Sequence, residues 1–459
     1  MKMKNIYIII LLFINSIIYT QQVCWNYLSS GTNHTMGIKE DGSLWGWGNN
    51  SYGQLGDSTN ISKMVPTKIG YSNDWSIVSC GEQFTIAIKK DGTLWGWGGN
   101  FNSELGDGTS ISKNYPTNID IDINWETISS GQGYTLAIKK DGSLWGWGKN
   151  NLGQLGVGST TIKRIPTCID STKKWYKVFA GLGHSIAIAS DSTLWTWGLN
   201  ICGELGDGSL TDKFYPNNIS NEKNWKNILT GESHSIAIKY DGSIWGWGAN
   251  NYGVLGSGSG SRIPIKIDPA NNWLDIIGGI RHVVGIKDDY SLWAWGLNSS
   301  GEVGDSTFIN KSNPVQITNS NNWETIIKGL HHTFAIKNDG SLWAWGYNNA
   351  YQLGDSSLIN KNYPVQITKS CLNTSVNNFV HSPINIYPIP SENYIIIEGI
   401  DYSTSNNYYK IINLNGSTII EGVIKDNHQI DISNLNKGLF IIEIITKDKT
   451  IYLNKIYKN

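Results

Sequence analysis

The sequence is poor in charge and in cysteine. Charged residues make up 16% of the 459 residues and the net charge is -1, so no strong field would steer the protein to nucleic acid, and an acidic substrate has no support either. The cysteines show no C-x-x-C spacing, which argues against a zinc or redox site. They are Cys24, Cys80, Cys168, Cys202 and Cys371.

The sequence also lacks the short motifs of common active sites. It has no nucleophile elbow, no phosphate-binding loop, no H-E-x-x-H and no paired-carboxylate motif. The near identity of its internal repeats points the same way, because a catalytic site usually forces some repeats to deviate. We therefore predict a protein that is not an enzyme and that uses no cofactor and no metal ion.

Long apolar runs are missing except near residue 1. Lys2 and Lys4 precede a nearly continuous apolar segment from Ile6 to Ile18, which is the pattern of a secretory signal peptide. The segment is short for a membrane span, and an uncleaved anchor is the alternative. We predict a signal peptide over residues 1–21.

Tryptophan, in contrast, is abundant and regularly spaced. Its 21 copies form seven sets, each with a pair two residues apart and a third residue 20 positions earlier. The sets recur every 50 residues, with one step of 48, which marks a repeat array. The pairs are Trp45/Trp47, Trp95/Trp97, Trp145/Trp147, Trp195/Trp197, Trp245/Trp247, Trp293/Trp295 and Trp343/Trp345.

Each repeat predicts four short strands. An Asp-Gly dipeptide such as Asp41-Gly42 separates two alternating apolar runs, which is a strong signal for a hairpin with a type I′ turn. Runs of the form W-x-x-I and P-x-x-I flank this hairpin. The strand before the hairpin has Gly or Ala at its centre in every copy, which we interpret as strands converging on a common axis. The pattern predicts an all-β fold, a seven-bladed β-propeller over residues 22–371.

The phase of the array suggests how the ring closes. The array opens at Trp25 without a preceding P-x-x-I run and ends on an extra one, Pro364 to Ile367. If each such run joins the next blade, the last one completes the first blade and covers two sheet edges. That pairing would bring Cys371 near Cys24, and a disulfide between them is then expected.

A different region follows the repeats. Residues 372–382 are polar and have the composition of a linker. Five or six alternating apolar runs with Asn-Gly and Lys-Gly turns lie in residues 383–459, and they predict a small antiparallel β-sandwich.

Each repeat carries a set of recurring motifs, which are Gly31-x-x-His34-Thr35, Asp41 to Gly48, Asn50 and Gly53-Gln54-Leu55-Gly56, with their copies over residues 25–368. In these motifs the repeat resembles the regulator of chromosome condensation family. The resemblance implies a seven-bladed propeller, in agreement with the pattern above. The founding member is a nucleotide exchange factor that acts on chromatin, but a secreted, near-neutral chain without a basic tail fits neither role. Secreted bacterial members bind another protein with one propeller face and are the closer analogy.

The region after the linker carries four further motifs, which are Ile386-Tyr387-Pro388-Ile389-Pro390, Asn415-Gly416, Ile432 to Ile441 and Lys455 to Lys458. In these motifs it resembles the sorting domain of the Bacteroidetes type IX secretion system, although Asn is usual there in place of Ile389. This resemblance implies contact with that secretion machinery and a protein that is secreted or held on the outer-membrane surface. An ordinary accessory sandwich is the alternative.

One column of the repeat is rich in histidine. Histidines at equivalent points of a ring suggest a metal site, but Phe and Tyr replace two of them, as packing allows and ligation does not. We predict instead that these rings pack locally and hold backbone groups. The column is His34, Phe84, Tyr134, His184, His234, His282 and His332.

Two charged columns also have plain structural interpretations. An Asp follows the Gly equivalent to Gly56 in five repeats, but Val157 and Ser257 break the series, and the Asp lacks the neighbouring oxygen ligands of a calcium loop. In six repeats a Lys stands three residues before the Pro, and we predict that it is a solvated loop residue. The Asp residues are Asp57, Asp107, Asp207, Asp305 and Asp355, and the Lys residues are Lys63, Lys113, Lys163, Lys213, Lys311 and Lys361.

The loop after each W-G-W-G strand varies between repeats. Variable loops on a rigid scaffold commonly bind partners, and aromatic residues are enriched at binding hot spots. We predict a monomeric, non-catalytic binding or adhesion module that recognises an extracellular protein or glycan. A secreted polysaccharide enzyme, a structural surface coat and loop drift without selection are the alternatives. The candidate residues are Tyr52, Phe101, Tyr252, Tyr347 and Tyr351.

Overall fold

A computed structural model of the protein describes residues 24–120, 122–220, 222–256 and 258–371 of the repeat array. It also describes residues 385–387, 393–398, 407–413, 418–424, 429–445 and 451–458. The chain divides into two compact units, Met1–Leu372 and Asn373–Asn459. The predicted signal peptide (residues 1–21) and the predicted linker (residues 372–382) lie outside the described residues.

The predicted seven-bladed propeller is confirmed. Each repeat folds as one four-stranded antiparallel sheet with its strands in chain order. The strands of blades 1 to 3 are β1 (Trp25–Ser30), β2 (His34–Lys39), β3 (Leu44–Gly48), β4 (Lys63–Lys68), β5 (Trp75–Cys80), β6 (Phe84–Lys89), β7 (Leu94–Gly98), β8 (Lys113–Asp120), β9 (Trp125–Ser130), β10 (Tyr134–Lys139), β11 (Leu144–Gly148) and β12 (Lys163–Asp170).

The strands of blades 4 to 7 follow the same plan. They are β13 (Trp175–Ala180), β14 (His184–Ala189), β15 (Leu194–Gly198), β16 (Lys213–Ser220), β17 (Trp225–Thr230), β18 (His234–Lys239), β19 (Ser243–Gly248), β20 (Ser261–Asn271), β21 (Trp273–Gly278), β22 (His282–Lys287), β23 (Leu292–Gly296), β24 (Lys311–Gln316), β25 (Trp323–Lys328), β26 (His332–Lys337), β27 (Leu342–Gly346) and β28 (Lys361–Thr368).

The first strand of each blade lines the central channel, because the first strands contact one another around the ring from β1 through β25 and back to β1. The fourth strand is the exposed outer edge. It carries a proline at its centre, as at Pro66 in β4, and a residue without an N–H discourages pairing of that edge with another chain.

The interpretation of the small residue on the second strand was wrong. Gly37 does not mark strands that converge on the axis, since the axis is lined by the first strands. A Cβ on Gly37 would lie 2.6 Å from the indole of Trp25. The position in the second strand must therefore be small so that the tryptophan of the first strand of the same blade can pack against it.

The predicted hairpin is present, but the predicted turn type was wrong. Gly42 has a φ of 79°, whereas Asp41 does not have a positive φ. The Gly42 N–H bonds to the Lys39 carbonyl at 2.8 Å, and the Lys39 N–H bonds to the Ser43 carbonyl at 3.1 Å. This is a turn followed by a left-handed glycine, the three-residue hairpin geometry.

The predicted ring closure was also wrong. The last P-x-x-I run lies in β28, which pairs with β27 of its own blade, so no blade is completed by strand exchange. The junction of blades 7 and 1 instead uses the same bond as every other junction. The Trp47 indole N–H donates to the Gln352 carbonyl at 3.0 Å, as Trp97 does to Gln54 at 2.9 Å. A Cys24–Cys371 disulfide joins the two ends.

The histidine column forms a second set of bonds between blades. His34 Nε2 lies 3.1 Å from the Thr85 hydroxyl of the next blade, and Thr85 donates its own proton to the Gln54 carbonyl at 2.8 Å. The hydroxyl must therefore accept from histidine, which fixes a neutral ring protonated at Nε2. Equivalent pairs are His184–Ser235 and His282–Thr333, with Tyr134–Ser185 in blade 3. At the junction of blades 7 and 1, His332 Nε2 instead lies 2.6 Å from the hydroxyl of Ser30 at the end of β1, and that hydroxyl lies 2.7 Å from the Thr35 hydroxyl.

One histidine has no such partner. In blade 6 the residue after the column is Val283 rather than Ser or Thr, and the Nε2 atom of His234 is buried without a hydrogen bond. Burial lowers the pKa of His234 to about 4 and the pKa of His34, His184, His282 and His332 to about 3. The five rings are therefore neutral at physiological pH.

Tryptophan makes the core between blades. Trp47 is fully buried and contacts Trp25 of its own blade at 5.7 Å between ring centroids and Phe334 of blade 7 at 5.8 Å. The Lys39 ammonium lies 4.1 Å from the Trp45 ring centroid, and a lysine takes this place in six blades, a recurrence that sequence analysis overlooked. Each buried indole removes ~150–250 Å² from water, so these contacts dominate propeller stability.

The second unit is a small antiparallel sandwich, as predicted, but with more strands than the five or six expected. The strands are β29 (Asn385–Tyr387), β30 (Tyr394–Glu398), β31 (Tyr408–Ile412), β32 (Thr418–Val423), β33 (Gln429–Asp431), β34 (Gly438–Ile445) and β35 (Ile451–Lys458). They form two sheets, with the orders β29-β30-β33 and β32-β31-β34-β35, and isoleucines from both sheets form one core.

Candidate binding face

Two segments of each blade form one end of the propeller, which we call the loop face. They are the turn between the first and second strands (residues 31–33 in blade 1) and the segment between the third and fourth strands (residues 49–62 in blade 1). A backbone bond of 2.7 Å from the Asn49 N–H to the Asn33 carbonyl ties the two together. The Asp-Gly turns lie at the opposite end, the hairpin face.

A buried asparagine makes the longer segment rigid. Asn50 is fully buried; its Oδ1 accepts from the Leu55 N–H at 2.9 Å, and its Nδ2 donates to Asp57 Oδ1 at 2.9 Å and to the Thr59 carbonyl at 3.0 Å. Asparagine occupies this position in all seven blades. The loop face is therefore a fixed frame in which only the outward side chains change.

The lysines before the prolines are not simply solvated, contrary to the prediction. Lys63 Nζ lies 2.8 Å from Asp57 Oδ2, and their side chains are only 25% and 12% exposed. The same pair recurs in four other blades. In blade 3, Val157 replaces the aspartate. These lysines neutralise the loop aspartates, so they do not form a free basic ring.

The structure places the five predicted aromatic residues on the loop face but does not gather them into one patch. Tyr52 and Phe101, from neighbouring blades, meet edge to face with ring centroids 5.3 Å apart and are 39% and 60% exposed. Tyr252 lies against Arg281 and Tyr347 against His331. Tyr351 is half-buried with a φ of 62°, which shapes the turn in blade 7.

Sequence analysis missed the turn residues that make the most polar part of this face. Arg281 holds Glu232 with two bonds of 2.6 and 2.9 Å, and its guanidinium lies 5.0 Å from the Tyr252 ring centroid. His331 lies 6.1 Å from Tyr347 between ring centroids. We call these five residues the Arg281 cluster. Its signal in the sequence was the variable pair inside each Gly-x-x-His motif.

The charges of the Arg281 cluster act on one another. The bond and charge of Arg281 lower the pKa of Glu232, and burial together with Arg281 lowers the pKa of His331. Glu232 is therefore ionised and His331 neutral at neutral pH, so the cluster presents a fixed ion pair beside three aromatic rings. Such an arrangement can orient a partner by hydrogen bonds and ring contacts.

Three glutamates lie beneath the loop face. Glu302 accepts the Ser300 N–H at 2.7 Å, and Glu104 and Glu204 make the same bond in their blades. Burial raises the pKa of Glu104 to about 7 and raises the pKa of Glu204 and Glu302. Because glutamine makes this bond in blades 1, 3 and 7, the glutamates have a structural role.

We expect Glu104→Gln to stabilise the propeller at alkaline pH. A carboxyl whose pKa is raised on folding costs stability as the pH rises from 4.5 through 7, so the gain should be about 2–3 kcal/mol at pH 8 and near zero at pH 4.5. Urea unfolding followed by tryptophan fluorescence measures it. The exposed Glu126→Gln is the control, and an equal gain for Glu104→Gln at both pH values would contradict the prediction.

Two general features of the described residues bear on function. Among them, no group of three or more His, Cys, Asp or Glu side chains is arranged to hold a metal ion. None of the elements in the described part of the chain is a helix with the length and apolar character that crossing a membrane requires.

Comparison with known protein families matches both units. Residues 121–381 match the RCC1-like domain, and residues 41–88 and 91–138 match the regulator of chromosome condensation (RCC1) repeat. Residues 385–459 match the secretion system C-terminal sorting domain. Both resemblances found in the sequence are thereby confirmed.

Individual relatives are distant. The ultraviolet-B receptor UVR8 of Arabidopsis thaliana is 38% identical over 47 residues, which is 10% of this chain and 11% of that protein. The chain therefore matches much less than two thirds of that relative.

Solved structures support the fold alone. Human WBSCR16 is 20% identical, with a TM-score of 0.64 over 71% of this chain and 94% of that one. Prp20p of Saccharomyces cerevisiae is 18% identical, with a TM-score of 0.64 over 79% and 90%. Yeast RCC1 bound to Kap60 is 17% identical, with a TM-score of 0.63 over 80% and 88%.

Proposed function

Because the chain belongs to the RCC1-like domain family and carries a sorting domain that directs it to the cell surface or outside, we propose that it is a non-catalytic binding protein that holds an extracellular partner on its loop face. The sorting domain makes the chain a secreted or surface propeller. What we propose beyond this is that the propeller binds a partner and does so with its loop face.

The main support for this proposal is that the bonds that fix the loop backbone recur in the blades, whereas the outward side chains of the loop face vary. The bonds from Trp97 to Gln54 and within the Asn50 loop recur around the ring, while the outward turn residues differ from blade to blade. In blades 5 to 7 these differences bring Arg281 against Tyr252 and His331 against Tyr347. A propeller that served only as a scaffold would not need the Arg281–Glu232 ion pair beside Tyr252 in blades 5 and 6 alone.

The chemistry of the Arg281 cluster favours a protein partner. Arginine and tyrosine are the residue types enriched at protein hot spots, and a guanidinium already oriented by Glu232 loses little freedom when it binds. A glycan is the second candidate, since exposed rings such as Phe101 also stack on sugars. The partners of the yeast relatives are not carried over to this chain, because a likeness of 17–18% identity supports the fold alone.

We expect a variant of the Arg281 cluster to lose the partner. Arg281→Ala combined with Glu232→Gln and Tyr347→Ser removes the cluster without leaving a charge unpaired, and should weaken binding at least about tenfold. The full mature chain would be immobilised and exposed to extracellular protein fractions and to a glycan array, and the Kd of each captured molecule measured for each variant.

The matched control lies on the hairpin face. Tyr71 and Tyr240 are 98% and 62% exposed there, so Tyr71→Ser with Tyr240→Ser removes exposed aromatic area away from the loop face. A partner that binds the control variant and the wild type equally, but not the cluster variant, supports the proposal. A partner lost only in the hairpin-face variant, or the capture of none, would refute it, and capture of sugars alone would favour the glycan reading.

A further inference from the structure

A cleft lies at the junction of blades 1 and 2, away from the loop face. Its volume is about 700 Å³, which is within the range of sites for small ligands. The end of β4 and the turn after it line the cleft from blade 1, and two tryptophans line it from blade 2. We call it the lateral cleft. The lining residues that matter below are Lys68, Gly70, Tyr71, Trp75, Lys89 and Trp95.

The tryptophan that begins the first strand of blade 2, Trp75, lacks a hydrogen bond that three other blades make. In those blades the equivalent indole N–H donates to a side-chain oxygen near the end of the preceding outer strand. In blade 2 the residue at the acceptor position is Gly70, which has no side chain. The bonds are from Trp273 to Asp268, from Trp323 to Thr318 and from Trp25 to Thr368, at 3.2, 3.1 and 3.3 Å.

The Trp75 N–H is nevertheless open to the lateral cleft. Trp75 is 4% exposed, and its ring lies 6.0 Å from Trp95 and 5.7 Å from Trp97 between centroids. These are the ring contacts of its equivalents, so the N–H keeps their direction. In blades 3 to 5 the equivalent nitrogen also lacks a partner in the described chain but is buried, whereas the Trp75 nitrogen is not buried in this way. Blade 2 therefore directs a donor into the cleft where other blades supply an oxygen.

The charges that line the cleft leave one ammonium ion unbalanced. Lys89 Nζ lies 3.1 Å from Asp74 Oδ2, whereas Lys68 forms no ion pair with any residue that the structure describes. Blade 6 shows which acceptor suits such a place. There Asp268 Oδ2 accepts the indole N–H and also lies 3.5 Å from Lys287 Nζ, the equivalent of Lys89. A carboxylate is thus the oxygen group that satisfies both the N–H and the positive charge.

The remainder of the cleft suits a sugar ring. Trp95 is half-buried, and an indole ring presents apolar area to the C–H face of a sugar. The hydroxyls of Ser58 and Ser72 also line the cleft. Tyr71, which is 98% exposed, adds a second aromatic ring. Aromatic surface beside hydroxyl groups matches a pyranose, which has apolar faces and a polar edge.

We propose that the lateral cleft binds a uronic acid residue of an acidic glycan, whose carboxylate accepts from the Trp75 N–H and pairs with the Lys68 ammonium. The ligand carboxylate takes the role that the Asp268 carboxylate has in blade 6. This site is separate from the Arg281 cluster and does not depend on the binding function proposed above.

The test compares sugars that differ only in the carboxylate. Methyl glucuronide and methyl galacturonide would be titrated calorimetrically into the full mature chain at pH 7, beside methyl glucoside and methyl galactoside. We expect at least one uronide to bind, and its neutral counterpart to bind at least about tenfold more weakly. Lys68→Gln, which copies Gln316 and Gln366 of blades 6 and 7, should remove that difference. Trp75→Phe, which keeps a ring without the N–H, should weaken uronide binding about tenfold.

Two matched variants supply the controls. Lys266→Gln removes the equivalent lysine of blade 5, and Trp323→Phe removes an indole whose N–H Thr318 already satisfies, so both should bind the uronide like the wild type. Absence of uronide binding, equal binding of the neutral sugar, or an equal loss in the controls would overturn the proposal. N-acetylaspartate that binds as tightly as the uronide would also overturn it, in favour of an acidic peptide. If Trp75→Phe does not fold, the surface variant Lys68→Gln decides.

Discussion

Lowering the pH from 7 to 5 is expected to destabilise the propeller by several kcal/mol. The five buried histidines have a pKa near 3 or 4 when folded, against about 6.5 when unfolded. Below pH 6.5 these histidines become protonated in the unfolded chain, whereas in the folded chain they stay neutral. Stability is therefore complete above pH 6.5 and falls progressively as the pH drops towards 3–4.

The loss at pH 5 is about 2 kcal/mol for each histidine. Glu104, Glu204 and Glu302 act in the opposite direction, because burial raises their pKa, so the net loss is smaller than the sum over five rings. Urea unfolding at pH 7 and pH 5 measures it. Tryptophan fluorescence reports the propeller selectively in the full chain, since all 21 tryptophans lie in the repeats.

Three substitutions test the histidine column. His234→Phe copies blade 2, where Phe84 fills the same place, and should make the loss between pH 7 and 5 smaller by about 2 kcal/mol. Phe84→His should make it larger by a similar amount. Val283→Thr, which offers His234 the hydroxyl that every other junction has, should add about 1 kcal/mol at pH 7. An unchanged pH dependence in His234→Phe would show that the histidines do not control acid sensitivity.

Removing the Cys24–Cys371 disulfide is expected to cost about 5 kcal/mol. The bond closes a sequence separation of 347 residues, and a cross-link over so long a loop removes much freedom from the unfolded chain. Folding should survive, because the junction of blades 7 and 1 keeps the Trp47–Gln352 and His332–Ser30 bonds. Cys24→Ser combined with Cys371→Ser, with urea unfolding at pH 7, measures the loss.

The free cysteines supply the control. Cys168 is exposed and Cys202 half-buried, so Cys168→Ser with Cys202→Ser should leave the unfolding midpoint near that of the wild type. Reducing agent should lower the midpoint of this control variant and leave the Cys24/Cys371 variant unchanged. If the disulfide variant unfolds at the wild-type midpoint, the blade contacts alone close the ring.

Local pattern was enough for the repeating parts of this protein. Alternating apolar residues, the Asp-Gly turns and the spacing of Trp45 and Trp47 predicted the strands, their number per blade and the seven blades, because strand alternation and tight turns depend on neighbouring residues. The small β-sandwich followed from the same signals. The turn type was wrong because a hairpin can close either with two left-handed residues or with one, and Asp41-Gly42 suits both.

The sequence by itself thus determined the strands of each blade and the number of blades. Only the tertiary structure, a closed ring, determined which blades are neighbours and which polar atoms bond between them. His34 finds Thr85 in the next blade, Trp47 finds Gln352 at the other end of the array, and Arg281 finds Glu232 one blade back. The two residues of each pair lie in different blades, so no periodic pattern in the sequence predicts their contact. These pairs form because seven similar sheets packed in a circle bring equivalent edges of neighbouring blades together. The distance between the two partners of each pair is therefore set by the closed ring.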